Sequence, residues 1–268
     1  MPSTYAHYRF GKDVLKRLPK PVRQVIRKEQ RLFRIGLHGP DILFYYRPLK
    51  SNEVNYFGSR MHRWQGTDVF QEMFEKAQQY RGVEKEAVEI YIYGFLCHFA
   101  LDRTCHPVVE EWIQRTGVTH SEIESEFDRA LMIHDGYNPL SHRPANHISP
   151  DIKEAAVIQH IFSDFSTTQI QEALRSTRFY NNFFVAPGRP KRTAVRMLLK
   201  LVGKWDTLGG LMINIQPNEK CRESTRRLIR SYDRAVGMAV DMITEMYQAF
   251  ETGILVLDEK YAHTFEAE

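Results

Sequence analysis

VEKEAVEIYIYGFLCHFALDRT, the stretch at residues 83–104, decides the fold of this 268-residue chain. Glu84 and Glu86 supply negative charge where a helix N-terminus favours it, and apolar residues then fill nearly every position. A helix that is apolar on all sides is buried on all sides. We therefore predict a central buried helix over residues 83–104.

The composition is that of an ordinary globular protein, with 43% hydrophobic and 26% charged residues. The formal net charge of +4 favours anionic partners weakly and does not by itself indicate nucleic acid, which is the less favoured ligand. Three widely spaced cysteines predict no disulfide framework and fit a reducing compartment. The first 20 residues hold no apolar run typical of a signal peptide, so we expect a cytoplasmic protein.

The rest of the chain also shows helical periodicity, and no segment has the strict alternation of a strand. Further helices are predicted over residues 21–36, 69–80, 107–115, 119–133, 150–165, 167–184, 193–201 and 220–252. The longest apolar stretch, residues 87–101, is shorter than the roughly 20 residues that a membrane-spanning helix needs. These patterns predict an all-α fold of eight to ten helices without a transmembrane segment.

Histidines and acidic residues are spaced as metal ligands in the first half of the chain. His98 and Asp102 are four residues apart, so they share a helix face, and His106 extends that face if the helix continues to Pro107. A buried carboxylate is costly unless it is paired or binds a cation. Taken alone, the first pair also fits a core histidine hydrogen-bonded to a structural aspartate, but three such residues on one face favour a metal.

Two more segments have ligand character. His120 and Glu124 repeat the four-residue spacing at a helix start, and one imidazole with one carboxylate suits zinc, although such pairs are common on surface helices. Asp41 follows a Gly-Pro turn that can fix its carboxylate at the lip of a pocket, or it merely caps the next segment. His62, beside Trp64, is a lone histidine and by itself more typical of a structural role.

The string GFLCHFALDRTCHP at residues 94–107 resembles the central helix of the zinc-dependent phospholipase C family. That family also includes single-strand-specific nucleases with a related three-zinc site. An early His7, the Gly-Pro-Asp turn with Asp41, His62 and the His120/Glu124 pair follow the family's order. The resemblance covers roughly residues 1–130 and implies the family's multi-helix bundle, with residues 1–268 as one domain. Its metal-site half would be residues 1–135, and its helical C-terminal half residues 150–268.

The resemblance also implies two or three zinc ions. Three ligand groups would hold them: Asp41, His62 and His98 for the first metal, a bridging Asp102 with His7 for the second, and His106, His120 and Glu124 for the third. Asp41 would in addition be the catalytic base that orients or deprotonates the attacking water. Clustered divalent cations neutralise phosphate oxygens and lower the pKa of a bound water toward about 7, so no nucleophilic side chain is required.

The chain departs from the family at two points. Secreted members use an N-terminal tryptophan as a metal ligand, whereas this chain begins Met1-Pro2-Ser3, so that metal is either absent, weakly held, or completed by His38 or Tyr5. The spacing from Asp102 to His106 is also two residues shorter than in the best-known members. These departures affect a strict phospholipase C activity more than the metal site. We expect a phospholipase C-like hydrolase of phosphate esters, with a phosphodiester or phospholipid head group as substrate.

Two alternatives remain at this stage. His134-Asp135 supplies the dipeptide of the HD-type phosphohydrolases, which predicts that His134→Ala removes the metal. The basic amphipathic segment at residues 189–204 instead suggests a non-enzymatic helical module that binds an anionic partner or membrane surface. The same segment would also suit steering of a phosphate-bearing substrate, or it is an ordinary helix with one solvated face.

Overall fold

A computed structural model describes residues 4–203 and 205–266, and it is all-α as predicted. Within these residues there is no β-strand. The helices are α1 (Thr4–Arg17), α2 (Lys20–Lys28), α3 (Gln30–Gly36), α4 (Glu53–Met61), α5 (Gly66–Gln78), α6 (Gly82–Thr116), α7 (His120–His134), α8 (Ile152–Ile161), α9 (Thr167–Phe183), α10 (Arg189–Leu201), α11 (Trp205–Leu208) and α12 (Arg222–Thr252). Short 3-10 helices lie at Gly39–Tyr45, Gly209–Leu211, Glu219–Cys221 and Glu259–Tyr261.

The predicted central helix is α6, which packs most extensively against α12 and α3. Its residues from Ile90 to Ala100 are all buried, which agrees with their apolar character. The crossing with α3 is close because both helices carry glycine there. A methyl carbon on Gly94 would lie 2.2 Å from the Phe33 carbonyl oxygen, and one on Gly36 would lie 2.4 Å from the Tyr91 carbonyl oxygen. This contact sets the chain after α3 directly against the middle of α6.

The N-terminal helix α1, which was not predicted from the sequence, is held against α6, α7 and α12. Asp128 on α7 accepts hydrogen bonds from the backbone N–H groups of Tyr5 and Ala6, at 3.0 and 2.7 Å. A carboxylate at a helix N-terminus both satisfies free donors and complements the helix dipole. The capped first turn places His7 next to the central helix.

Two boundary predictions were wrong. The helix expected at residues 21–36 is two helices, because the backbone at Glu29 turns to φ −129° and ψ 54°. The helices expected at residues 83–104 and 107–115 are one helix that passes through Pro107. A proline inside a helix removes one hydrogen bond, but Pro107 is exposed and the following Val108, Val109 and Trp112 are buried. Their burial outweighs the lost bond.

The segment after α12 returns to the body of the protein. Phe265 is fully buried against Phe99, and its backbone N–H donates to the His62 carbonyl at 3.2 Å. Gly66 in turn donates its backbone N–H to the His263 carbonyl. The single-domain organisation stays a prediction, which the packing of α12 on α1, α6 and α7 supports. In the described part of the chain, no helix is long and apolar enough to cross a membrane.

Candidate metal centre

The polar face of α6 forms the floor of the site. Because α6 continues through Pro107, His98, Asp102 and His106 do share one face. His98 is 0% and Asp102 is 5% exposed. The Asp102 Oδ2 atom lies 3.2 Å from His98 Nε2 and 4.0 Å from His106 Nε2. The carboxylate thus sits between two imidazoles of its own helix.

His7 approaches the same carboxylate from α1. Its Nε2 atom lies 3.1 Å from Asp102 Oδ1, and its ring stacks on that of His98 with centroids 4.5 Å apart. The Nδ1 atom of His7 is buried without a hydrogen-bond partner. Burial lowers the pKa of His7, but the carboxylates of Asp102 and Asp41 raise it overall.

Asp41 enters from the 3-10 helix that follows α3. Its Oδ2 atom lies 3.7 Å from His98 Nδ1, and its side chain is almost fully buried. The approach depends on Gly39, which has a φ of +49° that favours glycine. A methyl carbon there would lie 2.2 Å from Cδ2 of His98. Gly39 therefore lets this backbone pass directly over the His98 ring.

His62 follows α4 and faces the same carboxylates. Its Nδ1 atom donates to the Gly58 carbonyl at 2.8 Å, which leaves the Nε2 lone pair pointing inward. That Nε2 atom lies 3.0 Å from Asp41 Oδ1 and 4.0 Å from Asp102 Oδ2. A backbone acceptor that fixes one ring nitrogen while the other faces a site is typical of metal-binding histidines.

A second cluster joins α6 to α7. The Glu124 Oε1 atom lies 3.0 Å from His120 Nε2 and 3.8 Å from His106 Nε2. The Nδ1 atom of His106 donates to the Phe265 carbonyl at 2.8 Å, so the C-terminal segment orients this ring. Thr119 caps α7 as predicted, by accepting from the Glu122 N–H, and this cap fixes the first turn that carries both His120 and Glu124.

The electrostatics show a site that attracts positive charge. Burial raises the pKa of Asp102, but His98, His106 and His7 hold it well below its usual range. The pKa of Glu124 is likewise lowered, despite burial, by His120 and His106. Burial lowers the pKa of His106, yet Asp102 and Glu124 raise it to about 9. Buried carboxylates that keep their charge and draw protons onto nearby imidazoles also favour a bound cation.

These residues fit divalent metal ions. His7, Asp41, His98 and Asp102 each offer a ligand atom within 4.8 Å of the others, and so do His106, His120 and Glu124. Six buried polar atoms in the two groups have no hydrogen bond: His7 Nδ1, Asp41 Oδ2, both ring nitrogens of His98, His120 Nε2 and Glu124 Oε2. They are half of all such side-chain atoms in the described residues, and a deficit of this kind is typical of a site that binds an ion.

All eight predicted ligands thus come together, with His62 joined to the first group through Asp41. The HD dipeptide does not join them. Asp135 accepts hydrogen bonds from Tyr5 Oη and Arg9 Nε at 2.6 and 2.8 Å, and His134 is exposed. Among the described residues, neither belongs to a group of potential ligands.

Several surrounding groups were missed by sequence reasoning. The carbonyls of Gly58 and Phe265 orient ligand rings, and backbone acceptors carry no sequence signal. His147 was also missed. Its Nε2 atom lies 2.7 Å from Nε2 of His38, so His38 has a partner outside the cluster, as Tyr5 has in Asp135. Neither one is therefore favoured as a replacement for the N-terminal ligand.

The fold and the site define an all-helical protein with a multi-histidine cluster that could hold metal ions. The family model described as zinc dependent phospholipase C matches residues 6–180, about two thirds of the chain. The chain therefore belongs to the zinc-dependent phospholipase C family. The match includes all eight predicted ligands and ends within α9. No curated protein and no solved structure matches the chain.

Proposed function

We propose that this protein is a phospholipase C-like phosphodiesterase that hydrolyses phosphate esters with two or three zinc ions. The observation that carries the proposal is the convergence of five imidazoles and three carboxylates in two adjoining groups, one of them buried, with six polar atoms lacking hydrogen bonds. Zinc accepts this mixture of nitrogen and oxygen ligands. Family membership supports the same metal and reaction class.

The ligand assignment follows the two clusters. We assign His106, His120 and Glu124 to one ion. The remaining ligands, His7, Asp41, His62, His98 and Asp102, would hold one or two more. Asp102 has one oxygen toward His7 and the other toward His98, which suits a carboxylate that bridges two ions. When bound, the ions would neutralise the substrate's phosphate oxygens and lower the pKa of water.

Asp41 is the residue that we assign as the catalytic base. Its Oδ1 atom lies 3.0 Å from His62 Nε2, while its Oδ2 atom has no hydrogen bond. A carboxylate with one free oxygen can orient a water molecule and accept its proton at Oδ2.

A pocket beside the second cluster supports a phosphate-ester substrate. It is lined by Glu124 and Ser121 from α7, Thr4 from α1, Asn181 from α9 and Arg192 from α10. The guanidinium of Arg192 is anchored by the carbonyls of Ala186 and Ile213, at 3.1 and 2.8 Å. A fixed cation near a metal cluster suits a phosphate group that carries a further substituent, as in a phosphate ester.

The test is hydrolysis of bis(p-nitrophenyl) phosphate and p-nitrophenylphosphorylcholine by the zinc-loaded protein. Asp41→Asn and Asp102→Asn should each lower the rate by about 100-fold or more, because they remove the base and the bridging charge. Asp164→Asn, an exposed matched change, should have no effect. His134→Ala should also keep activity, whereas the HD-type alternative requires its loss. Full activity in both aspartate variants would contradict the proposal.

A further inference from the structure

The segment from α9 to the end of α10 has a strongly positive surface. Residues 173–205 contain no Asp or Glu. They contain eight basic residues: Arg175, Arg178, Arg189, Lys191, Arg192, Arg196, Lys200 and Lys204. Since the whole chain has a net charge of +4, the remaining residues together carry −4. Over residues 4–203, none of these cations forms an ion pair with a carboxylate. Lys191 and Arg192 donate to backbone carbonyls, so among the described side chains this charge has no carboxylate partner and is available to an external anion.

The helix α10 is anchored by one narrow apolar edge and leaves another exposed. Val195 and Leu199 are buried with Phe184, Ala186 and Met212 in a small core. On the outer side, Met197 is 66%, Leu198 48% and Leu201 86% exposed. At about 100° per residue, these three side chains lie within an arc of roughly 100° that faces away from the small core. An exposed apolar ridge of this kind on a monomer indicates an interaction surface.

Cations flank the ridge on both sides. Arg189, Arg196 and Lys200 fall along one edge of the helix, and Lys191 falls along the other, by the same helical geometry. Lys191 Nζ lies over the Phe183 ring at 5.7 Å, and Phe183 stacks on the 60% exposed Phe179 with centroids 6.0 Å apart. The apolar surface therefore extends from α10 to the end of α9.

We propose that this surface docks the protein on a bilayer that contains anionic phospholipids. The α10 ridge (Met197, Leu198 and Leu201) would enter the acyl boundary, and the flanking Lys and Arg side chains would bind lipid phosphates in the headgroup layer. Helices that lie in a membrane interface combine these two features. Exposed aliphatic side chains favour this partner over single-stranded nucleic acid, which is bound by stacking on aromatic rings.

The helix α10 links the docking surface to the pocket beside the second cluster. Arg192 of α10 lines the pocket that contains Glu124, and it also lines the adjacent groove with Arg189 and Arg196. At about 100° per residue, Arg192 lies on the side of α10 opposite the ridge, so docking would place the pocket about one helix diameter from the bilayer. The inference goes beyond the proposed hydrolysis and does not depend on it, because vesicle binding needs neither metal nor turnover.

The test is co-sedimentation of the full chain with vesicles of phosphatidylcholine, alone or with roughly 30% phosphatidylserine, a content that gives an anionic surface. The protein should bind the anionic vesicles, and added salt should weaken binding. Met197→Ser/Leu201→Ser and, separately, Arg189→Gln/Arg196→Gln/Lys200→Gln should each lower the partition coefficient about tenfold or more.

Matched controls lie on exposed positions elsewhere. Ile254→Ser/Val256→Ser replaces residues that are 70% and 74% exposed, and Arg222→Gln/Arg226→Gln/Arg230→Gln removes three cations from α12. Both should bind like the parent protein. Absence of vesicle binding by the parent, equal losses in the controls, or binding of a single-stranded oligonucleotide in place of vesicles would overturn the proposal. His98→Ala should still bind vesicles, so a failed metal site would not be mistaken for failed docking.

Discussion

At the scale of single residues, His98 is the most constrained side chain of the centre. It is fully buried, with Asp102 near one ring nitrogen and Asp41 near the other. A neutral imidazole has one donor and one acceptor nitrogen. It can therefore bind a metal through one nitrogen while the other donates to a carboxylate, which would orient the ring as in other metal sites.

Gly39 gives a direct test of this packing. In Gly39→Ala the new methyl group must displace the His98 ring, and the positive φ adds strain. We expect this variant to lose most of its bound metal and about 1–3 kcal/mol of stability. Gly136→Ala is the matched control. Gly136 has a φ of +80°, and a methyl carbon added there would meet no neighbouring atom within 4 Å. It should show the strain alone and keep its metal; metal loss in both variants would contradict the role of Gly39.

The His38/His147 pair gives a second prediction, on pH. His147 accepts from His38 if its other nitrogen donates to the Pro144 carbonyl. Burial, with Arg34 nearby, lowers the pKa of His147 to about 3. A folded-state pKa below the unfolded value of about 6.5 means that the unfolded chain binds the proton better. The stability contributed by neutral His147 is thus present above pH 6.5 and is lost as the pH falls toward 3.

Urea unfolding with a chelator present, at pH 7 and pH 5, measures this contribution. Since His147 is only partly buried, we expect it to account for about 1–2 kcal/mol of the loss in unfolding free energy between these pH values. Between pH 7 and pH 5, the unfolding free energy of His147→Gln should therefore fall by about 1–2 kcal/mol less than that of the parent. The exposed His134→Gln should behave like the parent. An unchanged pH dependence in His147→Gln would refute the assignment.

At the scale of elements, α6 shows what the sequence could and could not predict. The apolar run at residues 83–104 predicted the buried helix, and the four-residue spacings predicted the shared face of His98 and Asp102. Pro107 was misread as a helix end, because burial of Val108, Val109 and Trp112 is a tertiary effect that overrides local propensity. The capping of α1 by Asp128 has the same kind of cause, since it depends on a contact between distant segments.

The approach of the C-terminal segment to the candidate metal centre could not be predicted from the sequence either. Phe265 lies 5.4 Å from the His62 ring and 5.8 Å from the His98 ring, while its carbonyl orients His106. No local pattern near residue 265 indicates these partners, because they are separated from it by more than 150 residues. The family match, which ends at residue 180, does not include this segment.

Phe265→Ala should therefore harm both stability and metal binding. Removal of a fully buried phenylalanine ring costs about 3–5 kcal/mol, and the loosened segment would no longer fix His106. Denaturant unfolding and zinc content of the variant measure the two effects. Ile254→Ala, at a 70% exposed position of the same segment, should change stability by less than about 0.5 kcal/mol. A Phe265→Ala protein with parental stability would show that the segment is not packed as described.

At the scale of the whole molecule, two features of opposite charge lie beside one pocket. The buried carboxylates of Asp41, Asp102 and Glu124 require cations, and the α9–α10 surface supplies unpaired cations of its own. An anionic phosphate ester would be attracted by that surface and by the metal ions. The two proposals would thus unite the two functions that the sequence left as alternatives, the metal-dependent hydrolase and the anion-binding helical module.

The most direct test of the central claim is the metal content of the purified protein by elemental analysis, with His98→Ala/Asp102→Ala as control. The account predicts two or three equivalents of zinc in the parent and a clear loss in the variant, because the variant removes a buried imidazole and the bridging carboxylate. No metal in the parent, even after reconstitution with zinc, would contradict it. The His/Asp/Glu face would then be core packing, and the helical binding module would be the better account.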